Sequence, residues 1–109
     1  MKRGDLVVVA MHGDDGKPRP ALVVQTDLFT DTHASITVAP VTRTIVDTPL
    51  FRVTVEPSRR NGLRSVSQIM VDKITTVRRQ RLGQTIGRLE EDVMLRVSRA
   101  LALWFGIAA

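Results

Sequence analysis

Between Leu6 and Arg88 the chain is broken into short apolar runs rich in valine, isoleucine and threonine, each followed within a few residues by a polar turn segment. Runs of this length and type suit pleated strands, and a small chain that makes many of them must curl to hide their edges. Leu6 to Met11 is continuously apolar, which predicts a first strand buried on both faces. Ala21 to Gln25 follows as a second strand. Ser35 to Thr42 alternates, with Ile36 and Val38 on one side and Thr37, Ala39 and Val41 on the other, and Pro40 within it predicts a bulge or an edge. Leu50 to Val55 adds a strand with Phe51, Val53 and Val55 on one face. Ser65 to Val77 reads as a strand pair or one long bent strand, and Leu82 to Arg88 as a short final strand.

The period changes only near the end. Val93, Val97, Ala100, Leu101 and Trp104 recur at helical spacing, Glu90-Glu91-Asp92 suits the positive end of a helix dipole, and Gly106 predicts the stop. The connecting segments are polar. His12 to Lys17 carries two glycines, Thr26 to His33 suggests a turn or short helical bend, Pro57 to Gly62 contains Asn-Gly, and Arg78-Arg79-Gln80-Arg81 is a basic turn. The fold expected is mainly β with a C-terminal helix, a small half-open β-barrel formed by one domain over residues 1–109.

Several function classes are disfavoured by composition. The chain has no cysteine and two histidines, His12 and His33, so a thiolate nucleophile and a Cys-based zinc site are excluded. No ligand cluster at metal-binding spacing is evident, and neither a metal nor another cofactor is expected. No apolar run approaches the ~20 residues of a membrane span, and the N-terminal run is too short for a secretory h-region. A cytoplasmic protein without membrane contact is expected. The net charge of +5 favours a polyanionic partner, either nucleic acid or an acidic protein segment.

The most informative stretch for chemistry is Gly16 to Gln25. Its prolines have fixed φ, and Pro20 pushes Arg19 toward an extended backbone, so the guanidinium leaves the strand with little slack. Such a segment can hold a charge in place, or it can merely stop a strand edge from pairing and leave Arg19 solvated. Other polar groups at strand ends are Thr42 with Arg43, Asp72 with Lys73, and His12 in the first loop.

Taken in order, Arg3-Gly4-Asp5, the segment from Gly16 to Gln25, Val38-Ala39-Pro40-Val41-Thr42, and Val71 to Val77 with Arg81-Leu82 behind it resemble the MazF/PemK family of bacterial toxins. The resemblance runs from Lys2 to Ile107. It implies an SH3-like barrel, a homodimer, metal-independent cleavage of single-stranded RNA at short sequences, and neutralisation by a co-encoded antitoxin with an acidic flexible tail. By the same resemblance Arg19 and Thr42 are the catalytic pair, with His12 and Asp72 as groups that assist. RNA contacts would then come from Lys17, Gln25, Arg43 and Lys73.

The chain departs from the family pattern in three places. The loop His12 to Lys17 is short, Lys73 stands where glutamine is common, and Met70 stands where some relatives carry a further catalytic arginine. Base choice is therefore not transferable. Two other readings use the same fold: a CcdB-like gyrase poison, suggested by the Leu103-Trp104-Phe105-Gly106-Ile107 ending, and a non-catalytic RNA- or protein-binding module.

Overall fold

A computed structural model describes residues 1–10 and 17–108. Seven strands and one helix follow in chain order: β1 (Asp5–Ala10), β2 (Pro18–Val23), β3 (Ser35–Thr42), β4 (Arg52–Val55), β5 (Ser67–Met70), β6 (Thr75–Arg78), β7 (Leu82–Arg88) and α1 (Glu91–Trp104). Short 3₁₀ turns occupy Asp27–Phe29, Val71–Lys73 and Arg79–Arg81. All pairings are antiparallel, in the order β4-β5-β3-β2-β1-β7, with β6 also paired to β3. This is the mainly β architecture with a C-terminal helix that the sequence predicts. The sheet is open, with β4 and β7 at the ends of its order.

Strand alternation gives the sheet a core on each face. Leu6, Leu22, Ala39, Val41, Val53, Val55 and Ile69 pack with Val97 and Ala100 of α1. Val7, Val9, Ala21, Val23, Ile36, Val38 and Val77 form a smaller cluster on the opposite face. The first strand therefore contributes to both, as its continuous apolar run predicts. Val93, Met94 and Leu101 of α1 are partly buried against the larger core. Trp104, at 49% exposure, meets the ring of Phe51 with centroids 5.6 Å apart. Gly106, at φ 71°, takes the left-handed backbone that ends the helix.

Pro40 marks neither a bulge nor an edge. The backbone of Thr37 faces β2, since its carbonyl accepts from Val24 N–H at 3.2 Å. Alternation then turns the nitrogen of Pro40 to the other flank of β3. On that flank β6 pairs with residues up to Val38 and β5 begins at Val41, so the proline sits where the strand changes partners. A residue without an N–H costs no ladder bond there.

The second strand starts earlier than expected, at Pro18, and takes the Pro-Arg-Pro segment into the sheet. Pro18, Arg19 and Pro20 pair with β1 only, because pairing with β3 begins at Ala21. A strand end with one neighbour tolerates proline. The stretch from Ser65 to Val77 resolves into two strands separated by the turn Val71–Lys73, which places Asp72 in that turn.

Candidate active site

Arg19 and Thr42 lie at the adjoining ends of β2 and β3. The pairing of β2 with β3 ends at Ala21↔Pro40, and Arg19 and Thr42 lie two residues beyond it, in phase with that pair. Opposed residues of an antiparallel pair project on the same face. For these two it is the face of Ala21, Val23, Ile36 and Val38, so the smaller core runs out at its edge into a polar groove.

That groove has a volume of about 980 Å³. Its lining contains the cations Arg19, Lys73, Arg78 and Arg81, and the hydroxyls of Thr42, Thr44, Thr75 and Thr76. Among the described residues no carboxylate lines it. Met70, Pro40, Val41 and Val77 complete the wall. A surface whose described residues include four cationic side chains and no acidic one suits a polyanion, and guanidinium forks suit the paired oxygens of phosphate.

The Thr42 hydroxyl is oriented by the chain that follows it. Its Oγ1 accepts the backbone N–H of Thr44 at 3.1 Å, which leaves the hydroxyl proton available for donation. The next residues are tied down by Gln68, 2% exposed, whose Oε1 accepts Val46 N–H at 3.1 Å and whose Nε2 donates to the Val46 carbonyl at 2.9 Å. Gln68 pairs directly with Thr42 across β3 and β5. One buried amide thus fixes the loop leaving the site.

Asp72 stands apart from the groove lining. Arg52 Nε donates to its Oδ1 at 2.7 Å and Nη2 to Oδ2 at 3.2 Å, with both side chains largely buried. This hydrogen-bonded fork holds the Asp72 carboxyl below its ordinary range, against the opposing effect of burial. The pair fastens the turn Val71–Lys73 to β4, and Val71 N–H donates to the Phe51 carbonyl at 3.0 Å beside it. The flanking residues Met70 and Lys73 reach the groove.

The remaining sequence-derived candidates separate. Lys73 lines the groove. Lys17 and Arg43 are exposed near Arg19 and Thr42 in sequence but are not among the lining residues. The Gln25 amide is engaged locally, accepting Thr37 N–H at 2.9 Å and donating to the Phe29 carbonyl at 3.2 Å. His12 lies outside the described residues. His33 is exposed, its ring edge-on to Phe29 with centroids 5.7 Å apart. Thr75, Thr76 and Thr44 were not singled out in the sequence. Their signal is faint, being only hydroxyls at strand ends beside basic residues.

Among the described residues no group of three or more His, Cys, Asp or Glu side chains could hold a metal ion. No helix there is long and apolar enough to cross a membrane.

Fold and site together define a class: small antiparallel β proteins with one C-terminal helix and a cationic groove where two neighbouring strands end. Comparison with known proteins narrows it. The chain belongs to the PemK-like, MazF-like toxin family of type II toxin–antitoxin systems, whose model matches residues 2–105. It is 48% identical over 109 residues to a probable endoribonuclease MazF of Mycolicibacterium smegmatis, covering 99% of each chain. It is also 29% identical over 107 residues to the endoribonuclease EndoA of Bacillus subtilis, covering 94% of this chain and 92% of that one. Among solved structures, a mycobacterial endoribonuclease in complex with its cognate antitoxin superimposes with a TM-score of 0.84 at 23% identity, covering 100% of this chain and 98% of that one. The family membership and fold implied by the sequence resemblance therefore hold.

Proposed function

We propose that this chain, acting over residues 1–109 as a single domain, is the toxin of a toxin–antitoxin pair and a sequence-specific, metal-independent endoribonuclease acting on single-stranded RNA in the cytoplasm. The observation that carries the reading is that Arg19 and Thr42 line one groove together with further cations and hydroxyls, without a carboxylate among the described residues. Relatives named as endoribonucleases support it.

The chemistry follows from the groups present. The 2′-oxygen attacks the adjacent phosphorus, the 5′-oxygen leaves, and the products are a 2′,3′-cyclic phosphate and a free 5′-hydroxyl. Charge builds on the non-bridging oxygens of the phosphorane, where a fixed fork of N–H donors lowers the barrier. Arg19 supplies the fork, and the Thr42 hydroxyl, with its oxygen already accepting from Thr44, donates one further bond. A guanidinium with pKa above ~12 is a poor base. Both carboxylate oxygens of Asp72 are bound by Arg52, so Asp72 holds the Lys73 turn in place, and His12, the other assisting group that the family resemblance implies, is the proton acceptor of this proposal.

A cognate antitoxin with an acidic tail would occupy the same groove, as the charge of the lining and the antitoxin-bound relative suggest. A homodimer is supported by the exposed apolar side chains of Leu50, Trp104, Phe105 and Ile107. Incubation of the purified protein with single-stranded RNA in EDTA tests the activity. Discrete fragments are expected, and intact RNA together with gyrase-dependent DNA breaks would overturn the reading.

A further inference from the structure

The sequence cluster Arg78, Arg79 and Arg81 looks uniform, and the structure divides it. Arg79 directs Nε and Nη2 to the carbonyl of His33, at 3.1 and 2.9 Å, while its own N–H donates to the Ala34 carbonyl at 3.0 Å. Its fork is spent on holding the end of β6 to the start of β3. Arg78 and Arg81 are exposed and line the groove together with Thr75 and Thr76. Among the described residues neither is paired with a carboxylate.

Arg81 precedes Leu82, which pairs with Val9, the β1 partner of Arg19, so it stands across β1 from that residue, while the position of Arg78 is set by β6. Arg78 pairs with Ser35, the first residue of β3, whereas Thr42 is its last. The seven steps from Ser35 to Thr42 rise by roughly 23 Å at the usual ~3.3 Å per residue. That span exceeds one nucleotide step. A strand of RNA whose scissile phosphate lies at Arg19 and Thr42 therefore has more of its backbone within reach of the far end of the groove.

We propose that Arg78 and Arg81 form a second phosphate subsite, which grips the RNA backbone away from the scissile bond and fixes the register of the substrate. The proposal rests on RNA being the substrate and names what else in the chain binds it. Phosphate contacts position a nucleic acid without reading its bases. The pair therefore acts on binding rather than on the chemical step, and the enzyme needs substrates longer than the two nucleotides it separates.

The test uses a randomised 2′-O-methyl oligonucleotide longer than the groove, which cannot undergo attack by its 2′-oxygen, with binding measured across a salt titration. Each single-strand phosphate contact contributes about 0.7 to the slope of log K against log salt. An Arg78→Gln/Arg81→Gln variant should lose about 1.4 from that slope. A control with the same charge change at exposed sites outside the groove, Arg59→Gln/Arg99→Gln, should keep the wild-type slope. On a cleavable RNA the groove variant should raise KM severalfold with kcat held.

An unchanged slope in the groove variant, or an equal loss in the control, overturns the subsite. Wild-type protein that cleaves RNA while the groove variant keeps its slope removes the subsite and leaves the proposed activity standing. Wild-type protein that binds with the expected slopes but cuts no RNA removes the activity and leaves the subsite. Absence of both binding and cleavage with the wild type overturns both.

Discussion

A guanidinium that stabilises a phosphorane has to be held still, and Arg19 is held from its backbone, with a proline on either side and β1 as its strand partner. In the proposed reaction Arg19→Ala should lower kcat by about 10²–10³, the usual cost of losing a donor aimed at developing charge. Arg19→Lys should recover little of it, since an ammonium lacks the planar fork. Thr42→Val removes one neutral donor and should cost about tenfold. Single-turnover rates on one RNA check all three.

Asp72 gives a prediction of a different kind. Its carboxyl titrates below the ordinary value of 3.8, chiefly through the hydrogen-bonded fork of Arg52. A depressed pKa means stability that is fully present above the unfolded value and is lost as pH falls through the folded one. Asp72→Asn should therefore lower the unfolding midpoint at pH 7, by an amount that shrinks in acid below the ordinary carboxylate range. The pH dependence of cleavage between about 5 and 8 should keep its shape, because Asp72 changes no charge there. A displaced limb in that profile would return Asp72 to the role of proton acceptor.

At the scale of elements, the loop between β4 and β5 is held together and tied to the start of α1 by one buried amide. Asn61, 0% exposed, donates from Nδ2 to the Glu56 carbonyl at 2.9 Å and to Glu90 Oε1 at 3.1 Å. Its Oδ1 accepts the N–H groups of Ser58 and Leu63, both at 3.0 Å. Ser58 Oγ donates to Glu90 Oε2 at 2.6 Å, and this bond is the main cause holding the Glu90 carboxyl low. Asn61→Ala leaves several buried groups unpaired and should cost about 3 kcal/mol, read from denaturant unfolding. Gly87 packs so close to the Asn61 carbonyl that an added Cβ would collide with it. Gly87→Ala should therefore destabilise through the same contact.

Elements stated by local pattern were legible in the sequence. The bounds of β3 and β7 coincide with their apolar and turn signals, and the helix ends where Gly106 predicts. What was hidden depends on partners distant in sequence. The turn Val71–Lys73 contains no glycine, proline or asparagine, and it is fixed by Arg52 on β4. Pro-Arg-Pro reads as a strand stop unless one knows that β3 begins to pair only at Ala21. Arg79 differs from Arg78 and Arg81 only through the β3–β6 register. Arg19 and Thr42 stand out as polar groups at strand ends, but the groove that both line is a fact of the fold that neither segment carries alone.

For the whole molecule, an excess of +5 charges and a groove without a described carboxylate couple affinity to ionic strength. An acidic, flexible peptide should inhibit cleavage competitively, with a potency that falls as salt rises, and inhibition constants at two ionic strengths check this. The central claim, that the chain's own donors stabilise attack by the neighbouring 2′-oxygen, is tested most directly with a single-site RNA carrying 2′-deoxyribose at the cleaved position. The account predicts that this RNA stays intact while its ribose counterpart gives a 2′,3′-cyclic phosphate and a 5′-hydroxyl. Equal cleavage of both, or fragments ending in 3′-hydroxyl and 5′-phosphate, would contradict it.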